Sequence, residues 1–192
     1  MADDLFARVR VFFAIEPSMR AMQQVLEETT ALRDGPFKDA ALRWANPPGW
    51  HVTLAYLGDL DVGLVSPLRT LLASLKPRPR RVELAFDALG AFPRAEATKI
   101  VMRTVSGTGS EALAAVESDL RLKLEDLGLG SETPLPFVPH LTLARAHGEA
   151  IDLRNFEVPA SIARFEPVAV TLFESRLEAG ARRYIPLASV AW

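Results

Sequence analysis

The chain contains no cysteine, which excludes disulfides, thiolate metal sites and a cysteine nucleophile and suits a reducing compartment. Charge of one sign is also missing. Lys and Arg number 22 against 24 Asp and Glu, a formal net charge of −2, so no global basic field exists to hold long nucleic acid non-specifically. A nucleic-acid partner is therefore expected to be gripped locally, at an end or by a few nucleotides. No apolar run approaches the roughly 20 residues that span a bilayer, and no membrane partner is expected. The opening Met-Ala-Asp-Asp-Leu-Phe lacks the basic start and long apolar stretch of a secretory signal, which makes the cytoplasm the expected location. No glycine-rich phosphate loop follows a strand-like run, which argues against the doubly wound nucleotide folds. Histidine is scarce, three in 192 residues.

What is present suits an ordinary globular domain: 49% hydrophobic and 24% charged residues, in a chain long enough to bury a sizeable core. Strand-like runs are expected at Val9–Ile15, around Leu42–Ala45, and at Trp50–Leu57, Val82–Leu89, Ala97–Val105, Pro167–Arg176 and Tyr184–Ser189. Helices are expected from Ser18 to about Arg33, from about Val62 to Leu75, and over Glu111–Leu127, where Leu113, Val116, Leu120, Leu124 and Leu127 form one stripe before Gly128. Gly90–Pro93 reads as a turn. Strands and helices alternate in a pattern that recurs once, which predicts an α+β protein of two similar sheet-and-helix halves within one domain, 1–192.

Two of the three histidines sit in near-repeats, His51-Val52-Thr53-Leu54-Ala55 and His140-Leu141-Thr142-Leu143-Ala144. Strand alternation puts His and Thr on one face and aliphatic residues on the other. Strand propensity alone accounts for Val52, Leu54, Leu141 and Leu143, but not for two polar groups in register on matched faces. Chemistry does. With an ordinary pKa of about 6.5, one imidazole can be neutral and the other protonated near neutral pH. One can then take a proton from water while the other protonates a leaving oxygen, from opposite sides of a phosphorus centre. Thr53 and Thr142 would donate hydrogen bonds to the non-bridging oxygens. A metal site is not expected, because two histidines with no cysteine and no His-Glu-x-x-His helix make a poor ligand set. His147, in a polar loop, reads as a surface residue.

These residues and their surroundings resemble the 2H phosphoesterases, most closely the bacterial and archaeal RNA 2′,3′-cyclic phosphodiesterases, long called 2′-5′ RNA ligases. The resemblance covers nearly the whole chain. It runs through Arg10-Val11-Phe12-Phe13-Ala14-Ile15, Trp44…Pro47…His51-Val52-Thr53-Leu54…Leu57-Gly58 and Gly90-Ala91-Phe92-Pro93. It continues through Phe137-Val138-Pro139-His140-Leu141-Thr142-Leu143-Ala144-Arg145 and Leu172-Phe173-Glu174-Ser175-Arg176-Leu177…Gly180…Tyr184. It implies a bilobal fold of two pseudo-two-fold-related antiparallel sheets around a cleft lined by His51, Thr53, His140 and Thr142, with helices outside. It further implies hydrolysis of a terminal 2′,3′-cyclic phosphate on RNA to a 2′-phosphate, with no cofactor, and reversible 2′-5′ joining as the same chemistry run backwards. His51 is then the acid to the departing 3′-oxygen and His140 the base that activates water. The implied partners are RNA ends bearing the cyclic phosphate, tRNA halves included, or small nucleotides, and the expected state is a monomer.

By the same resemblance Arg145 binds phosphate or the RNA end, although regular alternation would turn it away from the cleft unless the strand bends after Ala144. Tyr56 holds the equivalent place in the first copy. Phe137 is a candidate to stack a base, with packing beside prolines as the plainer reading. Lys99 and Met102 stand where the family tends to carry an arginine and an aromatic. The basic run Lys76–Arg81 reads as a solvated linker or as a clamp on the RNA body. Rival activities are phosphodiester hydrolysis of small cyclic nucleotides, an ADP-ribose cyclic phosphate or 2′-5′ oligoadenylates; a different class is a non-catalytic RNA-end binding protein.

Overall fold

The computed structural model describes residues 7–75, 82–130 and 136–192; the basic run Lys76–Arg81 lies outside them. In chain order the elements are β1 (Arg8–Ile15), α1 (Met19–Asp34), β2 (Leu42–Trp44), β3 (Val52–Asp61), α2 (Val65–Ala73), β4 (Leu84–Phe92) and β5 (Ile100–Ser106). There follow α3 (Ser110–Asp126), β6 (His140–Ala146), β7 (Arg164–Phe165), β8 (Ala169–Glu178) and β9 (Ala181–Ala191). The β-branched and aromatic residues of Arg8–Ile15 favour an extended chain, and Ser18 ends that stretch by capping α1, its Oγ accepting from the Ala21 amide at 3.3 Å.

The strands run in the order β7-β4-β5-β6-β3-β1-β8-β9, with β2 also paired to β6, and every pairing is antiparallel. The two expected sheets are the two halves of this order. One is β3-β1-β8-β9 and the other β6-β5-β4-β7, each with a histidine strand at its inner edge. They meet through the single pair Val52–Leu141. One main core, holding Val52, Leu54, Leu141 and Leu143, also takes the apolar faces of all three helices: Ala21 and Val25 from α1, Leu68 and Leu72 from α2, Leu113 and Leu120 from α3. A smaller cluster of Phe12, Ala14 and Phe173, with Tyr184 against it, lies apart from this core.

A buried ion pair ties α1 to the second half. Arg103 of β5 is 2% exposed. It donates to the Asp87 and Pro159 carbonyls and meets Glu28 of α1, which also accepts from Ser161 and the Ile162 amide. The two terminal nitrogens of Arg103 and the Glu28 carboxylate thus have hydrogen-bond partners, while Arg103 Nε is buried without one among the described residues.

Four sequence expectations change. Gly90–Pro93 is not a turn: β4 continues to Phe92, and Gly90 pairs with Met102. Glycine allows close approach there, since an added Cβ would lie 3.2 Å from the Met102 and Thr104 side chains. The last strand is longer than expected, and β7 is an added two-residue strand too short to leave a periodic signal. Leu127 leaves the buried stripe of α3 and is 41% exposed at the helix end.

Candidate active site

Register and alternation place four polar side chains on one face. Val52 and Leu141 are direct cross-strand partners, and both are buried in the main core. Opposed residues in an antiparallel ladder project to the same side, and their sequence neighbours project to the other. His51, Thr53, His140 and Thr142 therefore share the face turned away from the core, all half-buried.

Both imidazoles are anchored in the same way. Nδ1 of His51 donates to the Gly49 carbonyl at 2.8 Å, and Nδ1 of His140 donates to the Val138 carbonyl at 2.8 Å. A carbonyl only accepts, so Nδ1 carries the hydrogen in each ring and Nε2 is the atom left to exchange protons. In the first copy the anchoring residue also lies close to the aromatic wall, since a Cβ on Gly49 would come 3.1 Å from the Tyr184 ring.

The surroundings of the two rings differ. His51 packs 4.7 Å from Phe12 and edge-on to Tyr184 at 5.0 Å, with Phe173 at 6.5 Å. It opens into a cleft also lined by Glu16, Trp50 and Pro186. Burial among these groups lowers its pKa from 6.5 to about 4. The Gly49 hydrogen bond opposes that shift, and His140 and Arg145 add to it by charge. In the unliganded protein His51 is therefore neutral at pH 7. His140 makes no ring contact of this kind among the described residues.

Arg145 faces the histidines, and a β-bulge is the reason. Along β5, Thr104, Arg103 and Met102 pair in turn with His140, Leu141 and Thr142; Val101 then pairs with Ala144 and Ile100 with Arg145. Leu143 is left without a partner. Leu143 and Ala144 both turn to the core, and the alternation resumes one residue out of phase. Arg145 thus returns to the face of His140 and Thr142, on the exposed side of the sheet. The expectation that regular alternation turns it away is corrected by this bulge. β3 does the same: Ala14 pairs with Thr53 and Phe13 with Ala55, skipping Leu54, which puts Tyr56 opposite Phe12 on the histidine face. Tyr56 is 63% exposed there.

A model of the 2′-5′ RNA ligase superfamily matches residues 16–172 of this chain. The chain belongs to that superfamily. Among curated relatives, the Geobacillus stearothermophilus protein named RNA 2′,3′-cyclic phosphodiesterase is 30% identical over 140 residues, covering 70% of this chain and 43% of its own length. This chain thus spans less than half of that relative. The Escherichia coli K12 protein of the same name is 27% identical over 180 residues and covers 93% of each chain. The crystal structure of E. coli LigT complexed with 3′-AMP superposes with a TM-score of 0.75 at 26% identity, covering 96% of this chain and 98% of that one.

Other sequence candidates of this superfamily member take quieter places. Phe137 is half-buried and packs against the main core. Lys99 Nζ donates to the Gly148 carbonyl at 2.7 Å, bracing the loop after β6. Met102 is buried on the histidine face, opposite Thr142. His147 is exposed, and its backbone amide donates to the Ala41 carbonyl. Among the described residues no three His, Asp or Glu side chains gather to hold a metal ion, and no helix is long and apolar enough to cross a membrane. The aromatic box around His51 is hidden in the sequence, since Phe12, Phe173 and Tyr184 come from three separate strands. The bulges leave a trace: Leu-Ala follows the threonine in both copies, two apolar residues running where alternation allows one.

Proposed function

We propose that the chain is a metal-independent RNA 2′,3′-cyclic phosphodiesterase that opens a terminal cyclic phosphate to a 2′-phosphate by acid-base catalysis. The observation that carries this reading is the pair of imidazoles, each anchored at Nδ1 to a backbone carbonyl, sharing one face with two threonines. The relatives named for this activity and the 3′-AMP complex of LigT support it.

His140 Nε2 takes a proton from water as the water oxygen attacks phosphorus. The bond from phosphorus to O3′ breaks, and His51 Nε2–H protonates the departing O3′. A 2′-phosphate and a free 3′-hydroxyl remain. Thr53 and Thr142 hold the non-bridging oxygens as negative charge builds on them. His51 is neutral in the free protein, so its proton is held only when the anionic phosphate supplies the charge that opposes burial. With a 5′-hydroxyl in place of water, the same groups form a 2′-5′ linkage, and the reverse reaction exchanges the roles of the histidines. The substrates are RNA ends with a cyclic phosphate, tRNA halves among them, and the enzyme acts as a cytoplasmic monomer.

A short RNA ending in a 2′,3′-cyclic phosphate tests this when incubated with the protein in excess EDTA. Undiminished turnover to a 2′-phosphate is expected. A 3′-phosphate product would reverse the leaving group, and complete loss of activity in EDTA would require a metal.

A further inference from the structure

A second arginine stands beside the first. β2 pairs with β6 on the edge of β6 opposite β5: Leu42 with Ala146, Arg43 with Arg145, and Trp44 with Ala144. Trp44 packs against the main core and meets Phe37 edge-on at 6.0 Å, and Leu42 also packs against the core. Arg43, between them, points the other way, to the face that carries Arg145, His140 and Thr142. Like charges placed directly opposite one another on a sheet destabilise it. Both side chains are exposed, and neither forms an ion pair or side-chain hydrogen bond among the described residues. β2 is only three residues long, yet it is pinned beyond both ends: the Ala45 amide donates to the Leu143 carbonyl and the His147 amide to the Ala41 carbonyl, each at 2.7 Å. The two guanidinium groups thus rise from a fixed backbone with no acidic partner, a site that asks for an anion.

Its distance from Thr142, a threonine expected to hold the terminal phosphate, says which anion. Along β5, the partners of Thr142 and Arg145 are Met102 and Ile100, two residues apart, or roughly 7 Å of strand. That is comparable to the step between successive phosphates of an extended RNA strand. We infer that Arg43 is a phosphate-binding residue, and that with Arg145 it clamps the internucleotide phosphate next to the terminal cyclic phosphate. The preferred substrate is then a polynucleotide end rather than a mononucleotide. This inference rests on the cyclic phosphodiesterase reading above.

The test compares 2′,3′-cyclic AMP with a short oligoribonucleotide ending in a 2′,3′-cyclic phosphate. The readout is the ratio of kcat/KM for the oligonucleotide to kcat/KM for the mononucleotide, in wild type, Arg43→Gln and Arg43→Lys. The clamp predicts that Arg43→Gln shrinks this ratio by about tenfold, and that the slope of log kcat/KM against log salt for the oligonucleotide falls by about one. Arg43→Lys should restore part of the ratio, since it keeps the charge and loses the two-pronged geometry. Binding of a labelled oligonucleotide ending in a 2′-phosphate, followed by anisotropy, should weaken in Arg43→Gln in parallel. An unchanged ratio with unchanged binding overturns the clamp. If wild type turns over neither substrate while Arg43→Gln still weakens oligonucleotide binding, the cyclic phosphodiesterase reading fails and the clamp stands. Arg43 is exposed and lies opposite a like charge, so its replacement should not lower the unfolding midpoint; a large fall would make its role structural.

Discussion

Alanine at His51 or His140 is expected to lower kcat/KM for RNA 2′,3′-cyclic phosphate by about 10²- to 10⁴-fold, the range that one positioned proton-transfer group supplies. The double variant should lose little more than the worse single one, because two groups that act in one concerted step give non-additive losses. The effects should reach activity in different ways. His140 makes no ring contact among the described residues, so its removal should act almost wholly on kcat with the fold intact. His51 is packed against Phe12 and Tyr184, and alanine there leaves a gap between rings. His51→Gln, which keeps more of the volume, is the companion variant: its activity should be as low as that of His51→Ala, with a higher unfolding midpoint. Full activity in either alanine variant would remove that histidine from the chemistry.

Valine at Thr142 or Thr53 should cost about 10²- to 10³-fold in kcat, the loss typical of removing one donor to a developing oxyanion. Valine keeps the β-branched shape that suits a strand, so the change isolates the hydroxyl. Neither threonine hydroxyl makes a hydrogen bond within the protein among the described residues, so no buried partner is orphaned when it is removed. Stability should hold, and KM should change less than kcat, because charge on the non-bridging oxygens grows toward the transition state. A loss confined to KM would make the threonines ground-state contacts only.

Period-two alternation is robust, which is why the His-Thr face is legible in the amino-acid sequence alone. Val52 and Leu141 pair in the core, and the polar residues beside them fall where alternation puts them. Beyond the threonines it fails, because one unpaired residue on each histidine strand, Leu54 and Leu143, reverses the phase of the residues that follow, Tyr56 and Arg145 among them. That single skip decides whether Arg145 serves the cleft or the core. The Leu-Ala step in both copies is its only local trace. Arg43 is illegible for a different reason. Its place opposite Arg145 is set by a pairing between residues about a hundred positions apart in the chain, and nothing local encodes that. The same holds for the rings that bury His51 and for the Arg103–Glu28 pair that holds α1 to the second half. The repeat suggests near-equal halves; the structure makes them equal in hydrogen bonding at Nδ1 and unequal in burial.

The most direct test of the two-histidine account is the pH dependence of kcat/KM in wild type and in the residual activity of the two alanine variants. Wild type should give a bell whose acidic limb falls near pH 4, the value to which burial lowers His51, because kcat/KM reports the free enzyme. With His51 as acid and His140 as base, His51→Ala needs only a neutral His140. Its rate should rise with pH to a plateau, with no alkaline limb. His140→Ala needs only a protonated His51, and its rate should fall as pH rises above about 4. The mirror-image pattern would exchange the two roles while keeping the pair. A bell with both limbs intact in either variant would contradict the account.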